Sequence, residues 1–269
     1  MLRLSCTGVT HRGLVRENNE DSAFCGADLM LVADGVGGGA AGEVASATAA
    51  YAITAVAMAR RGDDPADVLA EGVATAQREL AAGVRAMPER AGMATTATAV
   101  FTDGERFALA HMGDSRGYVW RDDELTRVTH DHTFVATLVD DGRLTETEAA
   151  MHPWRNVVLR TINGEVEGSA DVSPLHLRVG DRVLLASDGL TDLVDEGEIA
   201  AVLERHADDA ACEVLRDLAL GRGGRDNVTV VLGSVHDGPP VDSVGRLLGA
   251  VTDPANIVDP TAVRIAHSA

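Results

Sequence analysis

The chain is poor in several features that define protein classes. It holds three cysteines in 269 residues, Cys6, Cys25 and Cys212. The count is odd and no CxxC pair occurs, which argues against a disulfide framework or a zinc site and fits reduced thiols in a core. Long apolar runs are missing too. The longest, Ala49 to Ala59, is too short to span a bilayer and carries Thr54, while the N-terminal MLRLSCTGVT lacks the apolar core of a signal peptide. These absences lead us to expect a cytoplasmic protein with no membrane partner. Positive charge is scarce as well: 23 Lys and Arg stand against 42 Asp and Glu, a formal net charge of -19. A phosphate backbone would be repelled over much of that surface, so no nucleic-acid partner is expected, and an anionic substrate would need a local cation.

What is present is an ample apolar content of 45%, enough for a sizeable core. The stretch AAGEVASATAAYAITAVAMARR, residues 40 to 61, and the stretch from Pro65 to Met87 are rich in alanine and unbranched residues and predict two consecutive long helices, the second started by the Asp63, Asp64 and Pro65 cluster. The period then changes. TTATAVF, RFALAHM, RGYVWR and LTRVT, between Thr95 and Thr129, read as an antiparallel meander with turns at Asp103-Gly104 and Asp122-Asp123. A polar stretch from Asp131 to Gly168 follows, with a short helical piece near Thr145 to Met151 and an expectation of partial mobility. Strand signals return at Arg182 to Ala186, helices are predicted over roughly 196–206 and 209–220, and Asn227 to Val235 closes as a strand. The pattern is α+β. From residue 236 to 269 the composition turns rich in proline and glycine, which reads as a loosely ordered tail after a domain covering residues 1–235.

Four aspartates sit where apolar strands meet turns. Asp34 ends LVADG, Asp114 follows FALAHMG, Asp188 follows RVLLAS and precedes Gly189, and Asp226 stands just before NVTVVL. Strands of packed sheets end at shared edges, so carboxylates distant in sequence can converge on one rim, where a hard cation such as Mg²⁺ or Mn²⁺ would relieve their repulsion. Ordinary turn aspartates remain the alternative for each of them taken singly. An EF-hand is disfavoured because no stretch alternates Asp/Asn ligands with a closing Glu. In GLVRENNEDS, residues 13 to 22, Arg16 offers a planar fork for a phosphate, and Glu20 and Asp21 offer carboxylates that could support a metal from behind its ligands; a solvated charged turn is the competing reading. His130 and His132 form a His-x-His pair, read as strand-end or packing residues because no third histidine lies at ligand spacing.

In order along the chain, RENNED (Arg16 to Asp21), ADGVGG (Ala33 to Gly38), GDSR (Gly113 to Arg116), SDG (Ser187 to Gly189) and RDN (Arg225 to Asn227) resemble the metal-dependent serine/threonine protein phosphatases of type 2C, the compact bacterial members above all. The resemblance runs from Leu2 to Val235 and includes a flap-like stretch, LVDDGRLTETEAAMHPWRN, within residues 131–168. It implies a central sandwich of two antiparallel sheets flanked by pairs of helices, with a metal centre at one end. It further implies that Asp34 bridges two Mn²⁺ or Mg²⁺ ions, that Asp188 and Asp226 hold the first, and that the Gly35 carbonyl reaches the second. Asp114 with Asp188 would bind a third ion, as in bacterial relatives, and Arg16 would hold the substrate phosphate. Paired cations lower the pKa of a water, hold phosphate oxygens and neutralise developing charge, so no protein nucleophile is needed. The substrates implied are phosphorylated proteins, with a serine/threonine kinase and its substrates as partners and a monomer as the working form.

One departure matters. Many eukaryotic relatives carry a histidine after the Asp-Gly pair as proton donor, and this chain has Val36 there. His152 in the flap-like stretch is the candidate replacement. Two other functions compete. CTGVTHR, Cys6 to Arg12, has the spacing of cysteine-nucleophile phosphatases, although no helix signal follows the arginine. A pseudophosphatase that binds a phosphorylated partner without cleaving it would have no need of every aspartate.

Overall fold

The computed structural model describes residues 1–36, 41–164, 169–239 and 245–261. The glycines after Val36, the last residues of the flap-like stretch and parts of the expected tail lie outside the described residues.

Alternating side chains build the centre. In strand β3 (Leu29–Val36) Met30 and Val32 turn to the inter-sheet core, with Leu4, Val100, Leu185 and Val231, while Leu29 and Leu31 turn outward to the helices. One sheet runs β1 (Leu2–His11), β11 (Val228–Asp237), β10 (Arg182–Ala186), β7 (Arg116–Arg121) and β8 (Glu124–Arg127). The other runs β12 (Arg246–Gly249), β2 (Asp21–Cys25), β3, β5 (Ala97–Thr102), β6 (Phe107–Met112) and β9 (Asp171–Leu175), with the short β4 (Ala94–Thr95) paired to β3. Every pairing is antiparallel.

Helices α1 (Gly42–Ala59) and α2 (Pro65–Ala86) cover one outer face; α6 (Glu196–Arg205) and α7 (Asp208–Gly221) cover the other. This is the expected α+β sandwich with its helix pairs. Alanine on α1 serves close approach: Ala45, Ala47, Ala49, Ala50, Ala52 and Ala57 are all fully buried, and a side chain at Gly72 of α2 would come 3.3 Å from the Ile53 backbone. α1 is long and apolar enough to cross a membrane, yet 67% of it is buried inside the fold, as a core helix is. The start signal of α2 works as read, with Asp64 Oδ1 accepting N–H bonds from Ala66 at 3.0 Å and Asp67 at 3.4 Å, and Pro65 in the first turn.

Three sequence readings need correction. The meander between Thr95 and Thr129 is broken: β5 pairs with β6 and β7 with β8, but β6 and β7 belong to different sheets. The chain crosses at Gly113, whose φ of 113 only glycine adopts readily, and Asp114 sits on that crossing. The flap holds two helices, α3 (Phe134–Asp140) and α4 (Glu146–Ala150), capped by Thr133 and Thr145. The expected loose tail is, over residues 245–261, part of the sandwich. β12 covers the open edge of β2, Val251 N–H donates to Ser22 Oγ at 3.1 Å, and Ala250 and Val251 are buried. The segment ends on α1, where Val258 N–H donates to Thr48 Oγ1 at 3.0 Å and Tyr51 donates to the Pro260 carbonyl at 2.8 Å. An unpaired sheet edge and a few apolar residues outweigh a loop-like composition.

Candidate metal centre

Asp34 is fixed by its backbone. Its N–H donates to Thr96 Oγ1 at 3.0 Å, and its carbonyl accepts from Thr96 N at 2.8 Å and Thr95 Oγ1 at 2.8 Å. Across the β2–β3 ladder it stands opposite Asp21. A side chain at Gly35 would come 2.4 Å from the Gly42 carbonyl and 2.7 Å from the Glu20 carbonyl, so only glycine lets β3 pass between the 20s loop and the start of α1. The Glu20 carboxylate lies against Gly42, where a Cβ would meet it at 2.5 Å.

The second element arrives on β10. Ser187 Oγ donates to Asp21 Oδ2 at 2.8 Å and accepts from Thr229 N at 3.0 Å, and Asp188 opens the short helix α5 (Asp188–Thr191). Gly189 has a reason not visible in the sequence: a side chain there would lie 1.9 Å from the Asn227 carbonyl. Asn227 itself, quoted in the RDN stretch without a role, is the stitch that joins the N-terminal loop to the site. It accepts from Glu20 N at 2.8 Å and donates to the carbonyls of Arg12 and Asn18, each at 2.9 Å. Asp226 beside it accepts from Arg16 at 2.7 Å, in an ion pair whose side chains are 47% and 34% exposed. The fork expected for a phosphate thus sits at the solvent edge of the carboxylates.

Electrostatics couple these groups to one another. Burial and the charges of Asp21, Asp188, Asp114 and Asp226 push Asp34 well above the usual carboxylate range, and burial with Asp114, Asp192 and Asp226 does the same to Asp188. Burial raises Asp21 to about 6; burial and then Asp131 raise Asp114 to about 7. Asp21 is fully buried and its Oδ1 has no hydrogen-bond partner among the described residues. Asp114 and Asp188 also line a cleft of about 580 Å³ between the flap and the α5–α6 segment, along with Asp192, Arg116 and Arg155. Crowded acids with an orphaned carboxylate oxygen fit hard divalent cations, which accept oxygen ligands and keep several waters. Among the described residues no three His, Cys, Asp or Glu side chains stand grouped so that they could hold a metal ion as they are; the acids form a loose rim.

His152 lies on the flap. Its Nδ1 accepts the Trp154 N–H at 3.1 Å and its ring packs near Phe134 and Trp154, with centroids 6.2 and 5.9 Å away. It is thus part of the flap's aromatic packing. His132 takes the packing role expected, buried between Gly113 and Asp171, whereas His130 is exposed with its Nε2 2.9 Å from Asp140. Cys6 belongs to a straight strand, and burial with its Cys25 neighbour raises its thiol well above the ordinary range, the reverse of an activated nucleophile. Asp192, one helical turn beyond Asp188, was readable as a further acid of the rim by its i+4 spacing.

The chain matches the family described as Protein phosphatase 2C over residues 10–217. The serine/threonine protein phosphatase PstP of Mycobacterium tuberculosis is 45% identical over 242 residues, covering 90% of this chain and 47% of the relative. The chain therefore spans about half the length of that relative. The serine/threonine phosphatase stp of Listeria innocua is 31% identical over 236 residues, covering 83% of this chain and 92% of the relative. A crystal structure of the catalytic domain of PstP in complex with two manganese ions is similar with a TM-score of 0.82 at 43% identity, covering 88% of this chain and 100% of that one.

Proposed function

From the premise that the chain belongs to the protein phosphatase 2C family, we propose that it hydrolyses phosphoserine and phosphothreonine in proteins at a centre of two Mn²⁺ or Mg²⁺ ions, with a third held by Asp114 and Asp188. The reading is supported by the electrostatic coupling of Asp34 and Asp188 to Asp114, Asp226 and the buried Asp21. When bound, the cations supply Lewis acidity that activates water and draws charge from the phosphoryl oxygens in an in-line displacement.

The chain's own residues do the rest. Asp34, Asp188 and Asp226 provide anionic oxygens from three separate strand ends, and the Gly35 carbonyl adds a neutral one. Asp21 and Glu20 back them with further negative charge. Arg16, permanently charged and half-exposed at the edge, takes two phosphate oxygens in its planar fork and exchanges its Asp226 partner for substrate. Asn227 holds the loop that carries Arg16 against the site. With valine at position 36 and His152 turned into the flap, the leaving alkoxide takes its proton from solvent rather than from a histidine of this chain.

We assign the protein to the cytoplasm, as a monomer acting against a serine/threonine kinase and on that kinase's substrates. The test is phosphate release from phosphoserine, phosphothreonine and phosphotyrosine peptides with and without Mn²⁺. Release from the first two that requires Mn²⁺ is expected. Release independent of divalent cations, or undiminished in a folded Asp188→Ala variant, would overturn the reading.

A further inference from the structure

Asp114 and Asp34 reach the rim on segments that no shared ladder joins. Asp34 lies near the end of β3, whereas Asp114 rides the crossing between the two sheets. A continuous buried hydrogen-bond chain connects them. On the Asp114 side, His132 grips Gly113 twice: its N–H donates to the Gly113 carbonyl at 2.8 Å, and the Gly113 N–H donates to its Nδ1 at 3.1 Å. A backbone N–H can only donate, so Nδ1 is bare and the ring proton sits on Nε2, 3.0 Å from Asp171 Oδ2. Arg160 closes this end through Asp171, its Nη2 donating to Asp171 Oδ1 at 2.7 Å and to the Ser169 carbonyl at 2.6 Å. On the other side of Asp114, Ser115 Oγ lies 2.7 Å from Thr96 Oγ1, the atom that accepts the Asp34 N–H. Ser115 and Thr96 are fully buried and His132 is 8% exposed.

We propose that His132 is a positioning residue: it anchors a hydrogen-bonded frame, running from Arg160 and Asp171 through Gly113, Ser115 and Thr96, that holds Asp114 and Asp34 in place against their mutual repulsion. The inference rests on the metal-dependent reading above and adds to it the origin of the rim's geometry. Like charges at close range in a low-dielectric site push apart strongly, and the crossing at Gly113 has no regular ladder to resist. Arg160 and Asp171 stand at the exposed end of the frame, but His132, Ser115 and Thr96 are buried, so removing one of these leaves an unsatisfied group rather than a solvated one. The frame also reaches the flap, since Leu159 N–H donates to the His132 carbonyl at 2.7 Å.

Two substitutions separate the two ends of the ring. An asparagine amide at 132 reaches the Nδ1 position and can accept the Gly113 N–H; a glutamine amide reaches the Nε2 position and can keep Asp171 instead. Mn²⁺ binding to the full chain would be measured by titration calorimetry, with kcat and KM on a phosphothreonine peptide and a thermal melt for each variant. His132→Gln is expected to weaken Mn²⁺ binding about tenfold or more, the usual cost of losing a partner behind a ligand, and to lower kcat with peptide KM within about twofold. His132→Asn should stay within about threefold of wild type on both counts. Ser115→Ala, which breaks the frame elsewhere with almost no change of volume, should reproduce the glutamine result and stands in if a His132 variant does not fold. Equal losses in the asparagine and glutamine variants, or wild-type Mn²⁺ binding in both His132→Gln and Ser115→Ala, would overturn the frame alone. A wild-type chain that binds no Mn²⁺ would overturn the functional reading and the frame together.

Discussion

Strands β3 and β10 each have an aspartate just before their first residue and another close to their far end, and the two ends follow opposite rules. At the starts, Asp28 is buried against Arg3 at 2.5 Å with Arg61 at 3.1 Å, and Asp181 is buried against Arg121 at 2.5 Å. Burial notwithstanding, Arg121 holds Asp181 below the usual carboxylate range. At the ends, Asp34 and Asp188 face other aspartates and are pushed far above it. Acids matched with arginines are part of the framework; acids matched with acids are held ready for a cation. The same residue type at the same kind of position does two jobs, and its partners decide which.

Swapping the two ends should separate the jobs most sharply. Asp34→Ala, Asp188→Ala or Asp226→Ala should cut Mn²⁺-dependent phosphopeptide turnover by about a thousandfold or more, because several kcal/mol of charge stabilisation is lost with the cations; each variant should still melt cooperatively. Asp28→Ala should do the reverse. It strands the buried Arg3 charge and should cost about 3–5 kcal/mol in urea unfolding while leaving the turnover of the folded fraction near wild type. If Asp28→Ala kills activity without loss of stability, the contrast fails.

Titration tests the same contrast with no mutation. Asp21 and Asp114 titrate at about 6 and about 7 in the fold, against about 4 in an unfolded chain. Carboxyls raised on folding lend stability that is fully present below the unfolded value and is lost as pH climbs through the folded one. Metal-free protein should therefore lose melting temperature from this rim between about pH 4 and pH 7, and the rise caused by Mn²⁺ should be larger at pH 7.5 than at pH 5. Smaller effects belong to the edge. Arg16→Ala should raise phosphopeptide KM about tenfold with a lesser effect on kcat, since its ion pair with Asp226 is half exposed and readily exchanged. Smallest of all, Cys6→Ser should leave turnover within about twofold of wild type, and chelation rather than thiol alkylation should stop it.

Much of this was legible along the chain. The long helices, the β10 and β11 strands and the four rim aspartates all carry local signals of period, cap or turn chemistry, and those act over a few residues. The misreadings share a cause. β6 and β7 look like consecutive strands of one meander, and no local preference says that Gly113 takes them to different sheets. Residues 245–261 look like a tail until the unpaired edge of β2 is in view.

The order of residues by itself set the α+β class, the alternation that places Met30 inside and Leu29 outside, and the acidic strand ends together with the glycines that must stay glycine beside them. Folding alone decided which acids meet arginines and which meet one another, and it tied Asp114 to Asp34 through Ser115 and Thr96. The reason is range: propensity and pattern act between near neighbours, whereas a carboxylate's role depends on charges brought beside it from a hundred or more residues away.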